Sequence, residues 1–373
     1  MIIGHRSLKL VFTGGHHNSA LELARYLKEH HNAEILWLGH KFTGLSNTNI
    51  SAEYKEVTDS GIPFYELKAG KLYKTFHPTN LLRIPFGFIQ ALLYLIRHKP
   101  NLVVSFGGYL AVPVVFAGFL LRIPSVTHEQ TTVVGLANKF IAFFAKKVFI
   151  TWPSSKDYFP AEKVVIVGLP IRKALFEYNT ETFVFPNNLP VVYITAGKQG
   201  SHTINLAVSS VLDRLLNAYN VIHQCGESSE YKDNEVLTKQ KNKLPQELQE
   251  RYIVKGYIFQ DEIGSAFHQA HIVVSRAGAH TIYELAALAK PSLLIPIPWA
   301  SRNEQLQNAQ LLQDLGAAVI IEQKDLSGEK LLISLEKLQA DYQSYQAGAH
   351  KVQQLVRLDA VEKMAQEIMS FFT

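Results

Sequence analysis

The sequence contains a single cysteine, Cys225, among its 373 residues, so no disulfide bond can form within the chain. Scarcity of cysteine is typical of a reducing, cytosolic compartment. Long apolar runs are also missing, because the longest, from Leu110 to Leu121, is interrupted by Pro113 and is too short to span a bilayer. The segment from Met1 to Ser7 has neither the basic region nor the apolar run of a signal peptide. We therefore expect a protein that is soluble or peripheral to a membrane.

Charge of one sign does not dominate, because 37 lysine and arginine residues stand against 32 aspartate and glutamate residues, for a net charge of +5. This small excess favours acidic partners such as anionic lipid or phosphorylated ligands. No nucleic-acid-binding motif accompanies it, so we expect no nucleic-acid partner. Internal repeats and low-complexity segments are also absent, and 47% hydrophobic content at this length predicts two domains, each with its own core.

Short apolar runs alternate with segments of helical periodicity, which predicts parallel sheets covered on both faces by helices. The pattern occurs twice, so we predict an α/β protein of two Rossmann-like, doubly wound domains facing a central cleft, with ligands at the carboxyl ends of the strands. The domains are expected over residues 1–163 and 164–345, with a C-terminal helical segment, 346–373, packing back on them. The predicted strands are 8–12, 35–38, 102–105, 125–127, 191–195, 221–224, 252–254, 272–275, 293–295 and 318–321.

The most informative segment runs from Ser275 to Glu284 and reads S-R-A-G-A-H-T-I-Y-E. It indicates a strand, a glycine turn and a helix start, and residues 291–309 indicate a second strand and helix start beside it. Unpaired backbone N–H groups at two converging helix starts favour a nucleotide diphosphate, and Glu284 suits the hydroxyl groups of a ribose. The alternative is a capping box formed by Thr281 and Glu284, which stabilises a helix start without any ligand.

Two glycine turns and one polar run follow predicted strands of the first half. They are Thr13-Gly14-Gly15-His16, Phe106-Gly107-Gly108-Tyr109 and His128-Glu129-Gln130-Thr131. Glycines let a phosphate approach a helix start, and a histidine beside it titrates near neutrality, so His16 is a candidate general base. The alternative is an ordinary solvated turn histidine. A second capping box, Ser19 with Glu22, predicts the start of the following helix.

These motifs, taken in order, resemble the MurG family of peptidoglycan glycosyltransferases, which move N-acetylglucosamine (GlcNAc) from UDP-GlcNAc to a lipid-linked muramyl-pentapeptide. The resemblance covers about residues 8–323. Its motifs are T-G-G-H at 13–16, F-G-G-Y at 106–109, H-E-Q and G-L-A-N-K within 128–139, G-L-P-I-R at 168–172, A-G-K-Q-G-S at 196–201, and the S-R-A-G-A and E-Q-x-x-N-A segments. It implies the glycosyltransferase B fold, with the acceptor and membrane bound by the first domain and the donor by the second.

The resemblance implies a UDP-GlcNAc site in the second domain, with Glu284 on the ribose and the backbone at Phe259 and Gln260 on the uracil. Gln305 and Asn308 are expected to hold the sugar. The other implied donor-site residues are Arg172, Gly197, Gln199, Gly200, Ser201, Ala279, His280 and Thr281.

In the first domain, the resemblance implies His16 and Glu129 as the catalytic residues. The implied acceptor-binding residues are Thr13, Gly14, Gly15, Gly107, Gly108, Tyr109, His128, Thr131, Asn138 and Lys139. The family inverts at the anomeric carbon in a single displacement. This sequence has no D-x-D motif, so we expect no metal site and no cofactor, with the charge of the leaving group met by helix starts and backbone donors.

Several departures from the family pattern bear on substrate choice. The first loop lacks one glycine pair of the usual G-G-x-G-G-H, and the proline that usually follows it is missing. Thr131 removes an amide side chain. Lys198 introduces a cation, which we expect either to touch phosphate or to point to water. Glu304 stands where the family has histidine or glutamine, and we expect it to face a sugar hydroxyl or a nearby base.

Apolar and basic residues alternate between Lys71 and Lys99, and helical core explains many of the apolar ones. The mixture also suits an interfacial patch, including Phe86 and Phe88, that attaches the protein to the anionic cytoplasmic face of the membrane. The predicted activity is therefore GlcNAc transfer from UDP-GlcNAc to polyprenyl-diphosphate-linked MurNAc-pentapeptide. Three alternatives remain: a transferase of this fold with a different lipid acceptor, a UDP-GlcNAc 2-epimerase-like isomerase, and a catalytically silent nucleotide-sugar-binding protein.

Overall fold

The computed structural model describes residues 8–43, 49–70 and 78–372, with backbone alone for 43, 49, 78–83, 260 and 301. The chain divides into two compact units, Met1–Ile171 with Arg357–Thr373, and Arg172–Val356. Each unit has its own parallel sheet with helices packed on it, which confirms the predicted α/β class with two Rossmann-like domains.

The first unit is built around a parallel sheet. Its elements are β1 (Lys9–Thr13), α1 (His17–His31), β2 (Glu34–Gly39), β3 (Phe42–Thr43), β4 (Asn49–Ile50), α2 (Ala52–Asp59), β5 (Phe64–Glu66), α3 (Pro78–His98), β6 (Leu102–Ser105), α4 (Ala111–Leu120), β7 (Ser125–Glu129), α5 (Leu136–Phe144), β8 (Lys147–Ile150) and β9 (Val164–Ile166). Within the described residues, the sheet has seven strands in the order β5-β2-β1-β6-β7-β8-β9. The short strands β3 and β4 form a separate antiparallel pair.

The second unit repeats this plan. Its elements are β10 (Val191–Thr195), α6 (His202–Ser209), α7 (Leu212–Ala218), β11 (Asn220–Gln224), α8 (Asp233–Lys241), α9 (Gln246–Gln249), β12 (Tyr252–Lys255), α10 (Gln260–Gln269), β13 (Ile272–Ser275), α11 (Ala279–Ala287), β14 (Ser292–Leu294), α12 (Glu304–Asp314), β15 (Ala318–Ile320), α13 (Gly328–Ala340) and α14 (Tyr342–Gln353). In the described chain its six strands run in the order β12-β11-β10-β13-β14-β15. The buried runs of β10 and β13 lie at the centre, as near-continuous apolar strands in a doubly covered sheet should.

The predicted domain boundary after residue 163 is too early. Val164 pairs with Val148, so β9 is the last strand of the first sheet, and the chain enters the second unit at Arg172. The predicted C-terminal segment, 346–373, is divided. Helix α14 belongs to the second unit, whereas α15 (Ala360–Met369) packs on α1, where its apolar stripe completes the first core with Met364 and Ile368.

Both predicted capping boxes are wrong. Helix α1 begins at His17 with His16 as its N-cap, and the Ser19 hydroxyl donates to the Pro170 carbonyl at 3.3 Å. Helix α11 begins at Ala279 with Gly278 as its N-cap, so Thr281 is already the third helical residue. In both places the helix starts directly after the glycine turn, and Glu284 is therefore available for a role other than capping.

Candidate active site

Two glycine turns meet at the carboxyl ends of β1 and β6. The Gly15 N–H donates to the Gly107 carbonyl at 3.2 Å. Gly14 has a φ of +131°, and a Cβ there would lie 2.7 Å from the carbonyl carbon of Phe106. Only glycine tolerates both this φ and so close an approach, so glycine at position 14 lets the two turns pack together. The structure thus brings Gly14, Gly15, Gly107 and Gly108 together at one edge of the sheet.

A buried chain of hydrogen bonds joins this edge to α5. Ser105 Oγ lies 3.0 Å from Thr127 Oγ1, which donates to Asn138 Oδ1 at 3.1 Å. Asn138 Nδ2 donates in turn to Glu129 Oε2 at 2.9 Å, and a Cβ at Gly107 would lie 2.7 Å from the same amide nitrogen. Asn138 therefore connects the second glycine turn to the polar run after β7.

Glu129 is buried, and its carboxylate organises the following loop. Besides Asn138, it accepts hydrogen bonds from the Thr131 N–H at 3.1 Å, the Thr131 hydroxyl at 2.9 Å and the Gly135 N–H at 3.2 Å. Burial raises the pKa of the Glu129 carboxyl, and these hydrogen bonds oppose the shift. With both oxygens engaged in this way, the geometry favours a positioning role, and a direct catalytic role for Glu129 stays a prediction.

The histidines His16 and His128 are both neutral at pH 7. Burial, with a smaller contribution from His17, lowers the pKa of His16 to about 4. Burial also lowers the pKa of His128 to about 3. His128 Nε2 lies 2.9 Å from the Gly168 carbonyl, which can only accept, so Nε2 carries the proton and Nδ1 is an acceptor. The neighbouring His17 contacts a different element, with its Nε2 3.2 Å from Glu56 Oε2 on α2.

Three side chains near this edge have buried polar atoms without hydrogen-bond partners among the described residues. They are Thr13 Oγ1, His128 Nδ1 and both amide atoms of Gln130. A buried polar atom left unpaired typically costs about 1–3 kcal/mol, so such atoms mark where a polar ligand can bind. Gln130 was not among the residues predicted for the site. Its position directly after a buried strand is the pattern that indicates a site residue in this kind of sheet.

The remaining acceptor-site residues lie nearer to the surface. Lys139 is in the first turn of α5, with its Nζ 4.8 Å from the ring centroid of Tyr158. Tyr109 is half-buried, and this burial raises the pKa of its hydroxyl. Tyr109 thus directly follows the second glycine turn, Lys139 follows Asn138 on α5, and both are partly exposed.

The second unit brings Arg172 and Glu284 together, although 112 positions separate them in sequence. Arg172 Nη2 lies 3.2 Å from Glu284 Oε1. Glu284 is buried, which raises the pKa of its carboxyl, and Arg172 opposes that shift. An ion pair thus holds a buried carboxylate one turn into α11, where it can accept hydrogen bonds from a ligand.

The A-G-K-Q-G-S loop connects β10 to α6. Gly197 and Gly200 have φ values of +77° and +72°, and a Cβ at Gly200 would overlap the Cys225 carbonyl. Gln199 is exposed, and the loop ends at Ser201, whose hydroxyl caps α6. The loop's backbone is thus left-handed at two points and approaches the end of β11 closely.

Gln224, at the end of β11, was missed by sequence reasoning. Its Nε2 donates to the Gly197 carbonyl at 3.0 Å, and its Oε1 accepts from the Ile258 N–H at 3.1 Å. Phe259, which follows, is the exposed N-cap of α10, and Gln260 is the first residue of that helix. Gln224 therefore ties the A-G-K-Q-G-S loop to the segment predicted to read uracil.

Lys198 is exposed, with its Nζ 5.8 Å from the ring centroid of Tyr257. Tyr257 packs edge-to-face on Phe259, with ring centroids 5.1 Å apart. Lys198 is therefore beside the predicted uracil segment.

Gln305 and Asn308 of α12 hold the turn that starts α11. Gln305 Oε1 accepts from the N–H groups of Ala277 and Ile297, at 3.2 and 3.1 Å, and Asn308 Nδ2 donates to the Ala277 carbonyl at 3.3 Å. The Ile282 N–H donates to the Gly278 carbonyl, so the N–H groups of the first turn of α11 point outward at the helix start. The turn thus presents these donors to an anion, and sugar contacts by Gln305 and Asn308 stay a prediction.

The chain matches the two domains of one protein family. The N-terminal domain of glycosyltransferase family 28 matches residues 11–150, and its C-terminal domain matches residues 191–366. A Bacillus cereus protein named UDP-N-acetylglucosamine--N-acetylmuramyl-(pentapeptide) pyrophosphoryl-undecaprenol N-acetylglucosamine transferase 2 is 32% identical over 92% of this chain and 95% of its own.

Solved structures give the same result for the fold. The crystal structure of Acinetobacter baumannii MurG matches with a TM-score of 0.75 and 25% identity, over 97% of this chain and 99% of that one. UDP-GlcNAc 2-epimerase from Neisseria meningitidis, bound to UDP-GlcNAc, matches with a TM-score of 0.63 over 97% of this chain and 100% of that one. At 14% identity, the second match is a likeness of fold alone.

These matches define a glycosyltransferase of family 28 with the glycosyltransferase B fold. Within that class, the chain belongs to the MurG family of UDP-GlcNAc-dependent N-acetylglucosaminyltransferases. The resemblance found in the sequence is thereby confirmed, while the individual roles of the site residues stay predictions.

Proposed function

We propose that this protein transfers GlcNAc from UDP-GlcNAc to the 4-hydroxyl of polyprenyl-diphosphate-linked MurNAc-pentapeptide, which converts lipid I to lipid II in peptidoglycan synthesis. The observation that carries this proposal is the second unit's donor arrangement. The Arg172–Glu284 ion pair stands one turn into α11, a helix that starts directly after a glycine turn with its first backbone N–H groups pointing outward, in a chain of the MurG family. A nucleoside diphosphate uses both features at once, because its ribose can bind the Glu284 carboxylate while its diphosphate binds the N–H groups at the start of α11.

In the proposed mechanism, His16 removes the proton of the acceptor 4-hydroxyl as that oxygen attacks the anomeric carbon. The bond to UDP breaks in the same step, with inversion. The N–H groups of Ala279, His280 and Thr281 stabilise the negative charge that develops on the leaving diphosphate, so the mechanism uses no cofactor. Glu129 and Asn138 keep the glycine turns in place, and Gln130 and His128 Nδ1 are available to the acceptor.

A transfer assay with radiolabelled UDP-GlcNAc tests this function. Label should move to lipid-linked MurNAc-pentapeptide and not to other polyprenyl-diphosphate-linked sugars, and a chelator should leave the rate unchanged. Transfer to another lipid-linked sugar identifies a transferase with a different acceptor. Release of free sugar without any acceptor identifies an isomerase, and absence of turnover despite UDP binding identifies a silent binding protein.

Exposed apolar side chains line three helices of the first unit. They are Phe86, Ile89, Leu93 and Ile96 on α3, Phe119 and Leu120 on α4, and Leu136, Phe140 and Phe143 on α5. We call this set the apolar helix face. Helix α4 packs against both α3 and α5, and the spacing on α3 and α5 is that of one helix side. An apolar set of this size on a monomer marks an interaction surface.

We propose that the apolar helix face binds the membrane that contains the lipid acceptor, at the cytoplasmic face. Exposed basic residues stand near the C-terminal ends of its helices, Arg97 and Lys99 after α3, Arg122 after α4 and Lys146 after α5. Apolar burial together with attraction to anionic headgroups is how peripheral proteins attach. None of the helices in the described part of the chain combines the length and apolarity needed to cross a bilayer.

The patch predicted between residues 71 and 99 requires revision. Residues 71–77 lie outside the described chain, and the side chains of 78–83 are not described. Phe86 is exposed, but Phe88 is half-buried and packs edge-to-face on Phe116 at 5.5 Å. Substitution of Phe88 therefore perturbs packing and does not test membrane binding.

Leu93→Ser combined with Phe143→Ser is expected to weaken binding to vesicles that contain anionic lipid. These side chains are 61% and 75% exposed, so their loss leaves the core intact. Loss of two apolar side chains from the membrane interface, at roughly 1.5–3 kcal/mol for each, should reduce partition by more than about a hundredfold. Vesicle co-sedimentation measures the change, and UDP affinity should stay constant.

The matched control is Val184→Ser with Val236→Ser, which removes exposed apolar side chains from the second unit. Equal sedimentation of the two double variants contradicts membrane binding by the apolar helix face. A concentration-dependent dimer that disappears only in Leu93→Ser with Phe143→Ser would assign the face to self-association.

A further inference from the structure

Arg276 is a buried cation whose hydrogen-bond acceptors are all neutral. It follows β13 directly and is 9% exposed. Its guanidinium donates to Ile295 O at 3.0 Å, Ser201 Oγ at 2.6 Å, Thr203 Oγ1 at 3.0 Å and Gln323 Oε1 at 2.7 Å. Burial lowers the pKa of Arg276 to about 10, which still leaves it charged at pH 7. Four neutral acceptors thus contact Nη1 and Nη2, and none of them offsets the positive charge.

The four acceptors place this charge at the carboxyl edge of the second sheet. Ser201 and Thr203 follow β10, Ile295 follows β14 and Gln323 follows β15. Together with β13, these are four neighbouring strands of the sheet. Arg276 therefore links the segments that leave four consecutive strand ends, including the end of the A-G-K-Q-G-S loop.

This position is electrostatically unfavourable for a cation. Helices α6 and α11 both begin at this edge, beside Ser201 and Gly278. Helix N-termini carry partial positive charge and repel a cation. Burial of a charge without an opposite charge beside it also costs free energy. Two independent effects, repulsion by the helix N-termini and burial, therefore disfavour a cation at the position of Arg276. A dianion bound at the same edge offsets both effects, because it attracts the Arg276 charge and the helix N-termini alike.

We propose that Arg276 is a positioning residue for the donor diphosphate. Its planar guanidinium, the fork, holds the A-G-K-Q-G-S loop in the binding geometry. Its unneutralised positive charge makes the carboxyl edge of the second sheet selective for an anionic donor. Contact with phosphate is not required, because the charge acts at a distance and the four acceptors hold the guanidinium in place. The inference rests on the proposed function, since it takes UDP-GlcNAc as the donor.

The test compares Arg276→Lys with Arg276→Gln in the full chain. Both variants lose the planar fork, but only the first keeps the positive charge. Calorimetry measures UDP binding, and a nuclear magnetic resonance titration measures uridine binding. We expect Arg276→Gln to bind UDP at least about tenfold more weakly than Arg276→Lys, with uridine affinities equal within about twofold, as one partly screened charge–charge interaction predicts. UDP should also raise the Tm of Arg276→Gln less than that of Arg276→Lys.

Equal UDP affinity in the two variants overturns the proposal. A loss of uridine affinity that parallels the loss of UDP affinity in Arg276→Gln, relative to Arg276→Lys, also overturns it, because both variants lose the fork and a difference in charge should affect only the anionic ligand. Unfolding of both variants assigns Arg276 to the structure of the unit and likewise overturns it. If the unsubstituted protein does not bind UDP, both the proposed function and this inference are wrong. If the unsubstituted protein binds UDP normally and the two variants have equal UDP affinity, only this inference is wrong.

Discussion

His16→Ala is expected to lower turnover by at least about a hundredfold, the usual scale for removal of a general base. His16 stands at the N-cap of α1 beside the two glycine turns, and burial lowers its pKa to about 4. Its neutral form, the one able to accept a proton, therefore persists well below pH 7. UDP affinity should be unchanged, because the proposed donor residues belong to the other unit. Initial rates at saturating acceptor and calorimetry with UDP measure the two effects.

The direction of the pKa shift adds a pH test. A base with a lowered pKa stays deprotonated as the pH falls, so kcat/KM should remain level from about pH 8 to about pH 5.5, instead of falling near the ordinary histidine pKa of about 6.5. His17→Ala is the matched control, since the neighbouring ring is bound to Glu56. Normal turnover in His16→Ala with a collapse in His17→Ala would transfer the role of base to His17.

Glu284→Ala is expected to weaken UDP binding by roughly 1.5–3 kcal/mol, the usual value for loss of a hydrogen bond to a charged group. The carboxylate is buried on α11, and its removal also leaves Arg172 without its partner. Arg172 is about a third exposed and can rehydrate, so the fold should persist. Calorimetry with UDP measures the loss, and circular dichroism verifies folding.

A ligand cycle separates the two possible origins of that loss. The unsubstituted protein should bind UDP more tightly than 2′,3′-dideoxy-UDP, whereas Glu284→Ala should bind both with similar affinity, because its ribose acceptor is gone. If the variant weakens both ligands by the same factor, Glu284 acts through Arg172 and not on the ribose.

The central strands were predictable because consecutive buried apolar residues have few alternatives. Residues 102–105, 191–195 and 272–275 coincide with β6, β10 and β13. Strands β5, β8 and β9 were not predicted as members of the first sheet. Strands β5 and β9 have only three residues, which is too short a pattern, and β8 has only four. The boundary at residue 163 was wrong for the same reason, since β9 was assigned to the second domain.

The candidate site was predictable where glycine turns and polar runs follow strands. It was less predictable where two residues in contact are far apart in the sequence. The pattern of Thr281 and Glu284 satisfies a local capping rule, but the partner of Glu284 comes from Arg172, which no local pattern can indicate. Gln224 was missed because a single polar residue at a strand end carries no motif, and Arg276, although it stands inside the S-R-A-G-A motif, was given no role of its own. Their roles follow from neighbouring strands that only the folded sheet brings together.

The division of the chain has a consequence for synthesis. The first unit is interrupted by the whole of the second, because Arg357–Thr373 returns to it and α15 covers α1. A ribosome therefore completes the second unit while the first still lacks Met364 and Ile368 of its core. Domains fold as units during translation, so the second unit can mature first, and the first unit becomes complete only when α15 leaves the ribosome.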